Sequence, residues 1–456
     1  MSISKKALAN FPLSKEGINM KKRKLYLLFP SLLCLLFCID ASAETTQSLE
    51  ILKQRDIEQA MKYERLKNSP VSSVIQPVPT QALPVDTDDD GMPDAWESTY
   101  GLNPYSPDDA WLDPDGDGVV NLFEYQLGSA PNNSATPPMV TVAASGANFT
   151  NVVTAINSVT PGTVIRIAGG SYPVNYMTFS EKVVMIQGGW NSNFSKRNLK
   201  LYPTTFDGGM QGTILYFSNS SGNPVIILDG INFIRGKEWS GAVMLLAQGS
   251  AFMKTSIFNC SITKSESTFD FGGVLLIVNW DTSQSDRTLA NTIIAGNAAS
   301  GIYSQITETT IAHWRIINTT ISHNSNGGGD NGDGIEAFTL DSAVLTSHIY
   351  NSIIWGNERD DISIRRNITF DVDHTDIGRV SASGATYRPG PGVVNIDPRF
   401  VNPANGDFHL HALSPVIGAG INLGIPRIDF EGDPRIVGTV VDLGADEQQT
   451  LGAVGL

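Results

Sequence analysis

Two stretches of regularly spaced acidic residues carry the clearest chemistry in the sequence. Each has twelve residues, DTDDDGMPDAWE from residue 86 and DPDGDGVVNLFE from residue 113, and each has glycine at its sixth position and Glu at its twelfth. Calcium takes six to eight oxygen ligands, and loops of this spacing supply them, with the glycine making the sharp turn. An acidic linker without a metal would not repeat this spacing twice, so the sequence predicts two calcium sites.

The predicted ligands follow position by position through the two EF-hand-like loops. In the first loop they are the side chains of Asp86, Asp88, Asp90, Asp94 and Glu97 and the carbonyl of Met92; in the second they are the side chains of Asp113, Asp115, Asp117, Asn121 and Glu124 and the carbonyl of Val119. Each loop runs into a segment of helical composition. The pattern DxDxDGxxDxWE followed by GLNP at 101–104 resembles bacterial thrombospondin type 3 repeats, and this resemblance implies a rigid, calcium-stiffened spacer.

A second group of residues has the chemistry of a catalytic groove. Arg235, Lys264 and His323 share one position of a sequence repeat, and the loop GGGDNGDGIE carries Asp330, Asp333 and Glu336. A polysaccharide lyase needs a cation to neutralise a uronate carboxylate and a base, such as Lys or Arg, to remove the adjacent proton. The other interpretation is a solvated edge with a glycine-rich turn, since charged residues are expected at any surface. The sequence favours this second interpretation, and no catalytic residue is assigned.

A repeat of about 30 residues would position this second group. The segments GINFIRG, NCSITKS, NTIIAGN, NTTISHN and NSIIWGN begin at residues 230, 259, 291, 318 and 351, and successive starts are 29, 32, 27 and 33 residues apart. One coil of a β-helix has this length, whereas a propeller blade has about 40–45 residues. The fourth position is always apolar and predicts one interior column, formed by Phe233, Ile262, Ile294, Ile321 and Ile354. Asparagines at the first and seventh positions predict stacked amide ladders at the turns.

The segments on either side of the repeats resemble known β-helix proteins. Residues 150–172 predict a short helix followed by a strand, which looks like the N-terminal cap of right-handed parallel β-helices of the pectate-lyase type. DPRF at 397–400, FEGDPRI at 430–436 and VDLGADE at 441–447 resemble the C-terminal part of bacterial secreted β-helix proteins of the choice-of-anchor type. The resemblance implies a mainly β fold, with a calcium-binding module at 85–130 followed by a right-handed parallel β-helix at 140–447.

The N-terminal residues predict export. Basic residues at 21–24, an apolar run over 25–39 and the small residues at 41–43 form a signal peptide over 1–43, with translation starting at Met20. A short helix and a Pro-rich linker follow over 44–84, and 448–456 form a tail. The apolar run is shorter than the roughly 20 residues of a membrane span. We therefore expect no transmembrane segment in the mature chain, which is secreted or lies at the cell surface, with the periplasm as the alternative.

The charge of the chain narrows the range of partners. It has 31 basic and 46 acidic residues, a net charge of −15, which argues against nucleic acid and favours divalent cations. Calcium is the only cofactor expected. We expect an exported calcium-binding β-helix protein that binds a polysaccharide, a cell-surface glycan or another partner without catalysis. The alternative is a calcium-dependent polysaccharide lyase or glycoside hydrolase, because parallel β-helices serve both purposes.

Overall fold

Eight successive turns of the chain each contribute one strand to each of three parallel sheets, as in a right-handed parallel β-helix. The computed structural model describes residues 84–238, 240–268, 272–326 and 332–449. The first sheet has ten strands: β1 Met139–Val142, β2 Thr163–Ala168, β5 Val183–Trp190, β8 Val225–Asp229, β11 Phe252–Phe258, β14 Gln284–Ala290, β17 Ile311–Ile317, β20 Val344–Tyr350, β23 Ile368–Asp373 and β26 Thr386–Pro389. The predicted mainly β fold is confirmed.

The second and third sheets have eight strands each. The second contains β3 Gly170–Pro173, β6 Thr204–Asp207, β9 Ile231–Ile234, β12 Ser261–Thr263, β15 Ile293–Ala295, β18 Thr320–Ser322, β21 Ile353–Trp355 and β24 Asp376–Ile377. The third contains β4 Met177–Ser180, β7 Leu215–Asn219, β10 Val243–Ala247, β13 Gly273–Asn279, β16 Ser300–Ile306, β19 Ile335–Thr339, β22 Ile362–Arg365 and β25 Val380–Ser383. The predicted repeats begin just before β9, β12, β15, β18 and β21, so each repeat marks one coil.

The predicted interior column lies in the second sheet. Ile262 is in register with Phe233 on one side and with Ile294 on the other, and the same register continues to Ile321 and Ile354. All five side chains are fully buried. Residues stacked in this way bury their apolar surface against the coil above and the coil below, which is the main source of stability in a repeat fold.

The asparagines at the seventh repeat position form the predicted ladder. The Nδ2 of Asn297 donates to the Oδ1 of Asn324 at 2.9 Å, and the Nδ2 of Asn324 donates to the Oδ1 of Asn357 at 3.0 Å. All three side chains are buried. Each amide therefore satisfies the next one along the axis, in a place that water does not reach.

The asparagines at the first repeat position behave differently along the axis. The Nδ2 of Asn291 donates to the Oδ1 of Asn259 at 3.1 Å, but Asn318 and Asn351 donate to main-chain carbonyls near the C-terminus. All four have φ between 45° and 52°. Asparagine tolerates this left-handed conformation better than most residues. The conformation of the turn explains these asparagines, and only the first pair forms a ladder.

Three short α-helices precede the coils: α1 Asp94–Tyr100, α2 Asn121–Leu127 and α3 Val152–Ser158. Two 3₁₀ helices, η1 Asp109–Trp111 and η2 Pro403–Asn405, complete the helical elements of the described residues. Helix α3 begins after Asn151, whose Oδ1 accepts from the backbone N–H of Thr154 at 3.0 Å. It buries Val152, Ala155 and Ile156 in the interior of the first coils, as the predicted cap requires.

The segment with α1, η1 and α2 lies against the outer face of the first sheet. Its buried residues, including Trp111, Leu122 and Phe123, form one apolar cluster with side chains of β2, β5, β8, β11, β14 and β17, and Tyr350 of β20 packs at its edge. This arrangement corrects the spacer that the thrombospondin resemblance implied. The apolar residues of the segment have a sheet to cover, and burying them there outweighs an extended conformation.

Residues 397–447 cover the outer face of the second sheet. They contain one antiparallel pair, β27 Phe400–Asn402 and β28 Asp407–Leu410. Phe408 packs on β15, and Leu410 packs on Ile353 of β21. The last parallel strand ends at Pro389, so the family-like C-terminal motifs form this covering segment and no further coil.

The segment also reaches the first sheet at Gly424. The backbone N–H of Gly424 donates to Asp108 at 2.7 Å, and its carbonyl accepts from the Nε1 of Trp111 and from the hydroxyl of Tyr350, both at 2.9 Å.

Several predictions from the sequence lie outside the described residues. These are the signal peptide over 1–43, the helix and linker up to residue 83, and the tail from residue 450. Within the described part of the chain, no helix combines the length and the apolar character needed to cross a membrane.

Candidate metal centre

The first acidic loop is folded by its own backbone amides. The N–H of Gly91 donates to the Oδ2 of Asp86 at 2.9 Å, and the N–H of Asp90 donates to the Oδ1 of Asp86 at 3.2 Å. The N–H of Met92 donates to the Oδ1 of Asp90 at 2.7 Å. Gly91 has a φ of 99°, which residues with a Cβ rarely adopt, so the sixth position requires glycine.

The second acidic loop repeats these hydrogen bonds atom for atom. Gly118 and Asp117 donate to the Oδ2 and Oδ1 of Asp113 at 2.8 and 3.2 Å, and Val119 donates to the Oδ1 of Asp117 at 2.8 Å. Gly118 has a φ of 88°. The repeated twelve-residue spacing therefore corresponds to a repeated backbone conformation.

Both loops gather carboxylate oxygens around a point. Ligand atoms of Asp86, Asp88 and Asp90 lie within 4.8 Å of one another, and so do those of the equivalent trio of the second loop. Nine buried oxygen atoms in and around the loops accept no hydrogen bond from any described residue; they belong to Asp88, Asp90, Glu97, Asp109, Asp115, Asp117, Asn121 and Glu124. Buried oxygens without donors are costly. A hard cation that binds oxygen ligands would fit them.

The twelfth residues of the loops, Glu97 on α1 and Glu124 on α2, are fully buried. Neither carboxylate oxygen of Glu97 has a donor among the described residues. One oxygen of Glu124 accepts from the hydroxyl of Ser129 at 3.2 Å, and the other has none. Two buried carboxylates presented in this way have the arrangement expected of bidentate ligands.

The ninth position of the first loop departs from the expected geometry. Both oxygens of Asp94 accept from Thr87, one from its N–H at 2.8 Å and one from its hydroxyl at 2.7 Å. Asp109 of η1 instead brings a carboxylate oxygen within 4.8 Å of Asp90 and Glu97. Asp109 is not among the predicted ligands, because it lies outside both twelve-residue loops and no spacing rule points to it.

Burial and mutual repulsion disfavour the charged forms of these carboxylates. Burial raises the pKa of Asp90 to about 9, and the charges of Asp88 and Asp86 add to the shift. Burial likewise raises the pKa of Glu97 and of Glu124 to about 8, again with contributions from neighbouring aspartates. The fold therefore holds these acids where they repel one another, and a bound cation would remove that cost.

Charged residues of the β-helix hold the first loop in place. The buried guanidinium of Arg315 pairs with both oxygens of Asp286, at 2.6 and 3.0 Å, and lies 3.9 Å from Asp86 and from Asp89. His313 contacts Asp89 at 2.9 Å. Burial raises the pKa of Asp89, but hydrogen bonds with His313 and His348 and the nearby charge of Arg315 outweigh it and hold this pKa well below its usual range.

Polar side chains of the first sheet hold the second loop by its backbone. The Nη2 of Arg166 on β2 donates to the carbonyl of Asp117 at 2.6 Å, and the Nε2 of Gln187 on β5 donates to the carbonyl of Gly118 at 3.0 Å. Both loops are therefore attached directly to coils. No sequence signal could have indicated these contacts, because the partners lie about 50 to 230 residues apart.

The residues considered for a catalytic groove are mostly engaged elsewhere. Arg235 pairs with Asp207 one coil away. His323 packs against Phe400 and Phe408 beneath the C-terminal segment, and burial lowers its pKa. Lys264 and Arg235 are both exposed, but the side chain of Lys264 makes no hydrogen bond or ion pair with a described residue.

The predicted acidic loop near residue 333 is similarly engaged. Asp333 is fully buried, and its Oδ1 accepts from the backbone N–H of Asp360 at 2.8 Å. Glu336 is buried and pairs with Arg365 on the next coil. Asp330 lies outside the described residues. Among the described residues, no carboxylates lie close enough to Asp333 or Glu336 to bind an ion together with them.

Known proteins were compared with the chain by sequence and by structure. No protein-family model matches the chain, and no curated protein matches its sequence. Among solved structures, the crystal structure of pectate lyase Pel9A is similar, with 13% sequence identity and a TM-score of 0.36. The match covers 69% of this chain and 97% of the other.

Proposed function

We propose that the protein is an exported calcium-binding β-helix protein with one calcium ion in each acidic loop. The proposal rests on nine buried oxygen atoms without a donor, which lie in and around two loops of the same conformation. Asp86, Asp88, Asp90, Glu97 and Asp109, with the carbonyl of Met92, would hold the first ion; Asp113, Asp115, Asp117, Asn121 and Glu124, with the carbonyl of Val119, would hold the second. The number of oxygens favours calcium over magnesium, which prefers six ligands and keeps several waters.

Bound calcium would neutralise the crowded carboxylates and fix the conformation of both loops. Because each loop contacts the first sheet, calcium would also hold α1, η1 and α2 on the coils they cover. The protein would then be an exported β-helix protein that is stabilised by calcium and binds an extracellular glycan or another partner without catalysis. The engagement of Arg235, His323, Asp333 and Glu336 in structural contacts supports a role without turnover.

Calorimetric titration of chelator-treated protein tests the calcium proposal. We expect two calcium ions per chain and weaker binding of magnesium. Glu97→Gln and Glu124→Gln should each abolish or weaken one of the two binding events, whereas Glu181→Gln, on an exposed turn away from the loops, should leave both intact. Binding of no calcium by folded protein would refute the proposal.

A glycan array, probed with and without calcium, tests the binding role. Retention on a defined class of glycan that decreases when calcium is removed would support both parts of the proposal. If folded, calcium-loaded protein binds no glycan on the array, glycan binding is refuted and the proposed partner is a protein.

A polysaccharide lyase remains the second candidate function, because Lys264 is exposed and free of ion pairs among the described residues. Incubation with uronate polysaccharides, followed by ultraviolet absorbance of unsaturated chain ends, tests this candidate. Activity that Lys264→Ala abolishes and Lys196→Ala preserves would establish a lyase, since Lys196 is an exposed lysine on a different turn. A flat trace across the panel would refute it.

A further inference from the structure

A guanidinium group lies inside the coils. On β14, Ser285, Arg287 and Leu289 alternate with outward-facing residues, and Leu289 belongs to the interior apolar cluster. Arg287 is in register with Thr255 of β11 and with Trp314 of β17, both of which also face the interior. Only 5% of Arg287 is exposed. A cationic side chain therefore lies in the interior of the coils, which is otherwise mainly apolar.

The contacts of Arg287 are all neutral. Its Nη1 donates to the hydroxyl of Thr255 at 3.0 Å and lies 3.4 Å from the sulfur of Met253, and its Nη2 donates to the Oδ1 of Asn279 at 3.1 Å. Within the described residues, no carboxylate contacts it. The neighbouring Asp286 faces outward and pairs with Arg315.

An unpaired charge in this position is costly. Burial lowers the pKa of Arg287 to about 9, which still leaves the group cationic at neutral pH. Removing a cation from water without a counter-ion costs several kcal/mol, and buried charges in proteins are normally paired. The Nε of Arg287 also lacks an acceptor, so both its charge and one of its donors are uncompensated.

A small cavity adjoins this guanidinium. It has a volume of about 20 Å³, and apolar side chains that include Leu275, Ile277 and Ile302 make up most of its lining. The remaining lining residues are Arg287, Trp314, Arg315, Thr255 and Thr288. The indole Nε1 of Trp314 is buried and has no acceptor among the described residues. The volume suffices for one particle of the size of a water molecule. Two residues that line this space for a single small acceptor therefore each carry a buried donor without an acceptor, and one of the two is cationic.

We propose that this cavity binds one monovalent anion of the halide class, chloride under physiological conditions, held by the Nε of Arg287 and the Nε1 of Trp314. A water molecule would accept from both donors but would leave the charge unpaired. Sulfate, phosphate and carboxylate ligands are too large for the space. A halide ion accepts hydrogen bonds from any direction and supplies the missing negative charge.

The site is tested first by diffraction from calcium-loaded crystals grown in bromide. We expect an anomalous peak within about 3.5 Å of both donor nitrogens, where N–H donors meet a halide somewhat beyond an ordinary N–H···O distance. Bromide peaks at the surface with none in this cavity would overturn the proposal. A water molecule in the cavity, unchanged by bromide, would also overturn it.

Thermal unfolding provides a second, independent test. At constant ionic strength and saturating calcium, replacing gluconate by chloride should raise the midpoint of unfolding by about 1.5–2 °C for each tenfold increase in chloride above its dissociation constant. Arg287→Met fills the same space without the charge and should lose this dependence. If Arg287→Met does not fold, Trp314→Phe, which removes one donor and keeps a ring, should show a weaker dependence. The same chloride dependence in the folded variant as in the wild type would refute the site.

Discussion

Replacing Asp109 and Asp94, one at a time, by asparagine tests which of them binds the first ion. The structure favours Asp109, whereas the spacing of the loop predicts Asp94. In the structure, ligand atoms of Asp90, Glu97 and Asp109 lie within 4.8 Å of one another. A point equidistant from three atoms 4.8 Å apart lies about 2.8 Å from each, close to the 2.3–2.6 Å of calcium–oxygen bonds. One ion can therefore contact all three, whereas both oxygens of Asp94 are occupied by Thr87.

The two substitutions should have very different effects on calcium affinity. Asp109→Asn removes one negative charge from the first site, and we expect a loss of about 10- to 100-fold in affinity, or about 1.4–2.8 kcal/mol. Asp94→Asn should change the affinity by less than about threefold and should cost at most about 1 kcal/mol of stability through the contact with Thr87.

Calorimetric titration of both variants, with the second site disabled by Glu124→Gln, measures the first site alone. Equal losses in the two variants would show that Asp94 turns inward when calcium binds, and our reading of the ninth position would be wrong. An Asp109→Asn variant with unchanged affinity would exclude Asp109 as a ligand. Circular dichroism of each variant checks that it is folded.

Three further predictions concern stability. Chelation of calcium should lower the free energy of unfolding by about 2.7 kcal/mol for each site that was held at 100 times its dissociation constant, measured by thermal unfolding with and without chelator. Asn324→Ala should cost about 2–4 kcal/mol in urea unfolding, because one buried N–H of Asn297 loses its acceptor and the carbonyl of Ile294 loses its side-chain donor; the exposed Asn405→Ala should cost less than 0.5 kcal/mol, about the limit for surface changes, and equal costs would argue against the ladder. Hydrogen bonds to Glu431 and Asp407 raise the pKa of His409 to about 9, so its stabilisation is fully present below about pH 6.5 and is lost as the pH rises through about 9. His409→Gln should therefore lower stability at pH 6, by only about 0.5–1 kcal/mol because the group is partly exposed, and should leave it unchanged at pH 10; an equal loss at both pH values would contradict this assignment.

Local spacing predicted the parts of the structure that depend on neighbours in the chain. The glycine and aspartate positions of the two loops specify the turn, and the repeat of apolar residues specifies the column from Phe233 to Ile354. In both cases the physical cause lies within one loop or in one recurring position. A single sequence is enough to show such causes.

The contacts between distant segments could not be predicted in this way. Asp109 approaches Glu97 because η1 folds back on the first loop, and Arg315 approaches Asp89 because the loops lie on the first sheet. These pairs depend on which apolar face covers which sheet. The same reason explains the ladder at the first repeat position, which ends where the C-terminal segment supplies carbonyls to Asn318 and Asn351.

The apolar cluster that joins the segment of α1, η1 and α2 to seven successive strands of the first sheet, β2 to β20, has a consequence for unfolding. Strands about 4.8 Å apart place this contact across roughly 29 Å of the coil axis. Stacked coils alone behave as a one-dimensional array, in which the end units open first and opening spreads one unit at a time. The segment of α1, η1 and α2 contacts seven coils at once, so it makes partial unfolding less favourable. When one coil unfolds, the segment loses contacts that also keep it packed on the other coils. Calcium should thus govern cooperativity as well as stability: hydrogen exchange of β2 to β20 should occur in one step with calcium and coil by coil without it.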